Sequence, residues 1–583
     1  ARQSPAALAP VASQGTNAGS RRVVALCKQN RIREAASLFD QHPTPFSASA
    51  LISACGRRRD LKQALGVYAK FIASGHQPNA VLIGSLVSAC RRCGEPGRAL
   101  RLLDDLDRFD IAIDESSFHM LAAASAEAGD AAAAKRLLVR LQEGRLPFKA
   151  NSVDCGQLIK GLVTGVDPDS AGASSRIADA LALLELMEEQ AIAQNSCHFT
   201  PVLAACAATG EAAIGRQLHT RIVGSQSQAV VNDYTTAALI SMYAKCGFVD
   251  EAAGVFADMR RLQQDGRCEL RVGSWSAMIQ ALGQHGRGKE ALALFDEMVT
   301  DRHATPDGVA VNTVLSACSH AGLVEEALRV YSGLVAGRYG AIAPDIQHQT
   351  CVVDALGRAG RLDEAEQFID TISRPSEVTW RTLLGACRIH GDVARAERAV
   401  ARLRKLAPRD APTRVLMANV YAAAGHWEER DLERKNMDKA GVRKRPGKSW
   451  LVVDGTRHVF TVEDKRHPRI EEIRAELAVL WQRMKNAGFV PNTSVVLRSM
   501  ADEEAKECHL CHHSEKLAIT FGLMSTPPGT TIRVFKNLRV CPDCHEATKF
   551  IAHLTGRDIV VRDANRFHHF HGSGQHCSCG DYW

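Results

Sequence analysis

TVLSACSHAGLVEEAL, residues 313–328, decides the fold. It runs from apolar residues (Val314, Leu315) through small ones to Gly322, then to an acidic pair before Ala327-Leu328. The same frame fits ALISACGRRRDLKQAL (50–65), SLVSACRRCGEPGRAL (85–100) and AMIQALGQHGRGKEAL (277–292). It also fits MLAAASAEAGDAAAAK (120–135), CVVDALGRAGRLDEAE (351–366) and TLLGACRIHGDVARAE (382–397). The units start roughly 35 residues apart, a period that marks repeat architectures, with looser spacing near 145–180.

The frame has a physical meaning. Gly94, Gly129, Gly210, Gly247, Gly286, Gly322, Gly360 and Gly391 share one register, where a helix ends and glycine takes the left-handed conformation. Ala64, Ala99, Ala252, Ala291, Ala327, Ala365 and Ala396 sit five residues later, where a second helix approaches the first closely. Two helices per unit, neither able to bury its face alone, stack into a solenoid, expected over about 22–442. Cys55, Cys90, Cys206, Cys318 and Cys387 recur at one position of the first helix. Recurrence at a small, buried position assigns them to packing.

Composition agrees. The 583 residues are 45% hydrophobic, 23% charged and 5% aromatic, which suits helices packed through Ala and Leu better than strand-rich sandwiches. No apolar run reaches the roughly 18 residues of a membrane-spanning helix. A net charge of +7 permits an anionic partner without demanding one. Eighteen Cys in a chain this long need not be disulfide staples. Residues 1–33 carry Arg2, Arg21, Arg22, Lys28, Arg31 and Arg33 and no acid, as in an organellar transit peptide or a disordered basic leader.

Units of this length, closing in GHQPN (75–79), HATPD (303–307) and GAIAPD (340–345), resemble pentatricopeptide repeats. ALISMYAKCGFVDEA (238–252) resembles the short type of the plant class that mixes long and short repeats. The resemblance implies a right-handed α-solenoid in which each repeat faces one RNA base, read by the fifth and last residues of the repeat. Carried over, Ser49 with Asn79 is similar to an adenine reader, Ser276 with Asp307 to a guanine reader, and Asn312 with Asp345 to a uracil reader. Gly84 with Asp114, and His119 in the next repeat, depart from the usual pairs.

Beyond about 445 the repeat stops. RPGKSWLVVDGTRHVFTVEDKRHP (445–468) reads as a β-hairpin around a DG turn, and IEEIRAELAVLWQRMKNAG (470–488) as an amphipathic helix closing at Gly488. Residues 446–583 hold eleven of the 22 His and six of the 18 Cys, a density that reads as a zinc domain.

Three chemistries compete there. CHLCH (508–512) and CPDCH (541–545) match a haem-attachment pattern. Cys508, Cys511, Cys541 and Cys544 could form a zinc ribbon, which leaves His513 and Glu515 unused. The third reading uses every residue. Zinc nucleobase deaminases hold the metal with one His and two Cys, keep a water position, and use a non-ligand Glu to move protons, with the signature His-x-Glu then Pro-Cys-x-x-Cys. Here His513-Ser514-Glu515 precedes Cys541-Pro542-Asp543-Cys544, with the Pro inside the pair. TIRVFKN (531–537) reads as an intervening strand. His545 adjoins Cys544 and faces another partner set; His568, His569, Cys577 and Cys579 in RFHHFHGSGQHCSCGDYW (566–583) offer a second, closed zinc site of two His and two Cys.

RPGKSW (445–450), HSEK (513–516), CPDCH, RFHHF and the final Asp581-Tyr582-Trp583 together resemble the plant DYW domain. VTWRTLLGACRIHG (378–391) and VLMANVYAAAGHWEE (415–429) resemble the extension motifs that join it to the repeats. The resemblance implies a mainly α fold, the solenoid being followed by a small α/β zinc deaminase-like domain. The expected boundaries are a leader at 1–21, repeats at 22–376, extension repeats at 377–442 and the DYW domain at 443–583.

The implied function is site-specific conversion of cytidine to uridine in transcripts of a mitochondrion or chloroplast. The partners are single-stranded organellar RNA and editing helper proteins, with no membrane. Two zinc ions are implied: a catalytic one on His513, Cys541 and Cys544 with Glu515 as proton shuttle, and a structural one on His545, His568, Cys577 and Cys579. Six residues separate Phe570 from Cys577, more than the family's usual spacing, and they include His571 and His576. The rival is an RNA-binding factor that recruits another editing enzyme and keeps a structural zinc domain. An endonuclease lacks support, because no acidic cluster suits paired magnesium ions.

Overall fold

The computed structural model describes residues 14–582 apart from 42, 145, 167–171, 226, 228, 267–268, 302, 408–409, 440–445, 497–501 and 565. Residues 1–13 of the expected leader, the expected boundary at 442/443 between extension repeats and C-terminal domain, and Trp583 lie outside the described residues. Residues 14–28 form a helix, Gln14–Lys28. Ser20, Val23 and Cys27 are buried on it, and Ser20 Oγ meets Thr44 Oγ1 at 2.8 Å. The helical part therefore starts inside the segment expected as leader, because a three- to four-residue spacing puts Ser20, Val23 and Cys27 on one face.

Two compact units make up the chain, Ala1–Val231 and Asn232–Trp583. In the first, paired helices such as Pro45–Arg57 with Leu61–Ala73 and Ala80–Arg92 with Pro96–Arg108 repeat the same turn. In the second, the pairs run from Asp233–Lys245 with Val249–Gln264 to Ala411–Ala423 with Trp427–Lys439. All eight register glycines have positive φ, from 62° at Gly129 to 86° at Gly247. The seven register alanines and the five register cysteines are fully buried. First helices of successive units touch where both are small. A Cβ on Gly56 would lie 2.9 Å from the Ala89 backbone, and one on Gly283 2.6 Å from Ala317 Cβ.

The second unit ends in a mixed sheet, β1 (Lys448–Val453), β2 (Thr456–Thr461), β3 (Ile532–Lys536), β4 (Ile559–Arg562) and β5 (Phe567–Phe570), in the order β2-β1-β3-β4-β5. Asp454 and Gly455 join β1 to β2 with φ of 49° and 71°, the two left-handed residues of a type I′ hairpin turn. β3 and β4 are parallel, so the chain needs a crossover, and the helix Pro542–Thr555 supplies it. The helix Ile470–Asn486 forms as its pattern predicts, with Gly488 at φ 96°.

Alternation along the strands assigns the faces. Ile532, Val534, Ile559, Val561 and Phe570 point into a core with Leu477, Leu480, Leu517, Ala547 and Ile551. Each such Leu or Ile contributes roughly 1.5–3 kcal/mol by leaving water. The sheet and its two flanking helices, Ser514–Ser525 and Pro542–Thr555, are the frame on which the site is built.

Candidate metal centres and proton-transfer group

His513 and Cys541 are both N-cap residues, of the helices Ser514–Ser525 and Pro542–Thr555. Pro542 fits the first helical position, where a missing N–H costs nothing. Cys541 Sγ accepts from the Cys544 N–H at 3.3 Å, so the Cys-x-x-Cys turn is a helix cap made with sulfur. Two helix N-termini thus face one spot, and their positive ends favour thiolate there.

His513 Nδ1 lies 3.5 Å from Cys541 Sγ and 3.4 Å from Cys544 Sγ. Ligands at zinc bond lengths and tetrahedral angles stand about 3.6 Å apart, so this donor set fits a zinc ion. Burial raises the Cys544 thiol, but the Cys541 hydrogen bond, Lys516 and His513 outweigh it and bring it down to about 5. Cys541 moves the other way, through the same hydrogen bond and through burial. Negative charge in the pair is favoured on the Cys544 sulfur, beside Lys516.

Glu515, one residue into the helix, is 1% exposed. Its Oε2 pairs with Lys536 Nζ at 2.7 Å and accepts from Ser514 Oγ at 3.1 Å. Its Oε1 is buried with no hydrogen-bond partner among the described residues, which leaves one carboxylate oxygen for a water or substrate. Burial pushes the Glu515 carboxyl up; Lys536 and His513 outweigh it and hold it down to about 2.

Lys516, Lys536 and Asp543 join the site although the metal-binding motif does not include them. Lys516 is fully buried and donates to Asp543 (2.7 Å), the Leu510 carbonyl (3.0 Å) and Cys544 Sγ (3.3 Å). Burial disfavours its charge, but Cys544 and Asp543 hold the ammonium protonated. The signal for Lys516 was present in HSEKLAITFG (513–522): a Lys within so apolar a helix has to meet an acid.

His545, His568, Cys577 and Cys579 form a second group, all four buried, with one ligand atom each within 4.8 Å of the others. Cys579 Sγ is 3.3 Å from His545 Nε2, and Cys577 Sγ 3.8 Å from His568 Nδ1. On its other nitrogen each histidine meets a carboxylate: His545 Nδ1 and Asp581 at 3.6 Å, His568 Nε2 and Asp563 at 3.5 Å. Carboxylates behind histidines are the usual support of metal ligands. His571 and His576 face each other at 5.2 Å outside this group. Cys508 is exposed, and among the described residues neither it nor Cys511 joins a metal-sized cluster.

The six base-reading candidates lie on the repeats. Asn79, Asp307 and Asp345 are N-caps, accepting from the N–H groups of Leu82, Ala310 and His348. Ser49 Oγ donates to the Pro45 carbonyl at 2.8 Å, and Asn312 Oδ1 accepts from Cys351 Sγ at 3.3 Å. Ser276 Oγ is buried without a partner among the described residues. Capping explains Asn and Asp at the last repeat position by itself; the carboxylate or amide keeps a second polar atom for a base.

Family profiles match three parts of the chain: the DYW family of nucleic acid deaminases over 488–583, the E motif over 390–452, and the PPR repeat over 46–76, 234–263, 273–303, 309–336 and 350–374. A putative mitochondrial pentatricopeptide repeat-containing protein of Arabidopsis thaliana is 34% identical over 562 residues, 95% of this chain and 84% of the relative. A chloroplastic one from the same plant is 42% identical over 396 residues, 67% of this chain and 42% of the relative. Other relatives are longer; the chain spans 65%, 58% and 49% of three of them. The crystal structure of a pentatricopeptide repeat protein from maize is similar at a TM-score of 0.47 with 15% identity, over 94% of this chain and 78% of that one.

Proposed function

The chain belongs to the pentatricopeptide repeat proteins that carry an E motif and a DYW deaminase domain, and on that premise we propose that it binds single-stranded RNA of a mitochondrion or chloroplast and deaminates one cytidine in it to uridine. One observation carries the reading: three soft donors at zinc spacing beside a buried carboxylate with one oxygen unpaired.

His513, Cys541 and Cys544 would hold the catalytic zinc, and His545, His568, Cys577 and Cys579 a structural one. A zinc ion with an open position supplies Lewis acidity that makes water a nucleophile near neutral pH. Lys536 and His513 favour the Glu515 carboxylate, and its unpaired Oε1 is the atom that would accept a proton. It takes the proton of the water that attacks cytosine C4 and passes protons to N3 and to the departing amine. The C4–N bond breaks, C4 gains its oxygen, and ammonia leaves. Lys536 holds the other carboxylate oxygen and fixes the group's direction. Lys516 donates to the Cys544 sulfur and draws charge from that thiolate.

On the repeats, Ser49 with Asn79, Ser276 with Asp307 and Asn312 with Asp345 would read adenine, guanine and uracil. Incubating the purified full chain with zinc and candidate RNA, followed by sequencing, tests the whole reading. Uridine in place of cytidine supports it. RNA that is bound but unchanged points to a specificity factor that recruits another enzyme, and cut ends point to a nuclease.

A further inference from the structure

The outer face of the C-terminal sheet is covered by the turns of three repeats of the same unit. Arg562 Nη1 donates to the Lys245 carbonyl at 3.0 Å, at the end of the helix Asp233–Lys245. Arg533 Nε donates to the Gly247 carbonyl at 3.5 Å, its guanidinium 3.8 Å over the Phe248 ring. Arg566 Nη1 donates to the His320 carbonyl at 3.1 Å, in the last turn of Gly308–Ala321. Between them the helix Val272–Gln284 ends at His285. His285 Nε2–H donates to the Ala244 carbonyl at 2.9 Å, so its Nδ1 accepts from His569 Nε2–H at 2.6 Å. Its ring stacks on Phe567 at 4.0 Å. Helix C-termini carry unsatisfied carbonyls and the negative end of the dipole, and here arginines meet two of the three.

The register glycines allow the approach. A Cβ on Gly286 would lie 2.6 Å from the Ser578 carbonyl, and one on Gly322 3.4 Å from the Tyr582 ring. The second metal set underlies this face. Phe567 and His569 flank His568, and Ser578 lies between Cys577 and Cys579. Ser578 N donates to the His569 carbonyl at 3.0 Å. At the other end of the helix Gly308–Ala321 sits Asp307, about 20 Å from His320 at 1.5 Å per residue.

We propose that this contact is a built docking face, and that Arg533, Arg562 and Arg566 determine which nucleotide of a bound RNA reaches His513, Cys541 and Cys544. The register role rests on the function proposed above; the docking does not. With the C-terminal domain held on helix ends about 20 Å from the cap Asp307, the spacing between that base-reading position and the catalytic centre becomes a property of the fold.

The test uses the full chain with Arg533→Glu and Arg562→Glu together, and RNA carrying cytidine at several neighbouring positions. Amide exchange at 246–248 and 285–287 should quicken by about tenfold or more, both metals should remain, and conversion should spread from one cytidine to its neighbours. His285→Glu, placed on the repeat side, should do the same where the sheet variant fails to fold. Unchanged protection in both variants overturns the docking; lost protection with a single edited position overturns the register role. A wild-type chain with protected turns that converts no cytidine sinks the functional reading and the register role with it, while supporting the docking.

Discussion

At the scale of single residues, the proposed chemistry turns on Glu515. Glu515→Gln keeps the shape and removes the base, so deamination should fall by about 10²–10⁴-fold, the range of general base catalysis. Zinc content and RNA affinity should stay within about twofold, because Glu515 contacts no donor of the metal set as a ligand. Elemental analysis and single-turnover rates check this together; a variant that edits normally rejects Glu515 as the base. The ion pair with Lys536 gives a pH signature. The Glu515 carboxyl falls from its ordinary 4.5 to about 2 in the fold. A depressed acid stabilises fully above its unfolded value and loses that contribution as pH drops toward the folded one. Lys536→Met leaves a buried charge unpaired and should cost about 3–5 kcal/mol at pH 7. The loss should shrink as pH falls from 4.5 toward 2, in urea melts of both proteins. An equal loss at pH 7 and pH 3 would remove the ion pair as its cause.

Elements come next, and here small residues decide. A Cβ on Gly357 would meet Ala386 Cβ at 2.7 Å, whereas one on Gly385, in the next unit's first helix, meets nothing within 4 Å. Gly357→Ala should therefore destabilise by about 1–3 kcal/mol through overpacking, and Gly385→Ala should stabilise by roughly 0.5–1 kcal/mol through helix propensity. Denaturant midpoints of the two variants should move in opposite directions. Asn79→Asp probes the base code without disturbing the helix, since Asn and Asp cap about equally well. If Ser49 and Asn79 read adenine, the change should weaken binding to the native RNA and restore it when one A becomes G, by about 1–3 kcal/mol of discrimination. Binding across all four bases at each upstream position is the measurement; no rescue at any position would make Asn79 a cap only.

For the whole molecule the expectation is two zinc ions per chain, each tied to its own cluster. Cys541→Ala should remove one and Cys579→Ala the other, and metal analysis of the purified variants reads both. A single zinc in the unaltered chain would contradict the two-centre arrangement.

The repeat, its glycine turns, the DG hairpin and the helix closing at Gly488 were legible in the sequence because each is local: its cause lies within a few residues of its effect. The donors His513, Cys541 and Cys544 were legible because spacing on helix caps fixes which atoms can meet. The pairings of Lys536 with Glu515 and of Lys516 with Asp543 were not, since a buried charge finds its partner across 20 or more positions, and periodicity carries no record of the pairing. The docking of Arg533, Arg562 and Arg566 onto helix ends some 250–320 positions earlier was invisible for the same reason. The sequence by itself determined the repeats, the hairpin and which His and Cys gather into the two metal-sized clusters. Tertiary packing alone decided that Glu515 meets Lys536 and where the C-terminal domain rests, because both depend on electrostatics between segments that only the fold brings together.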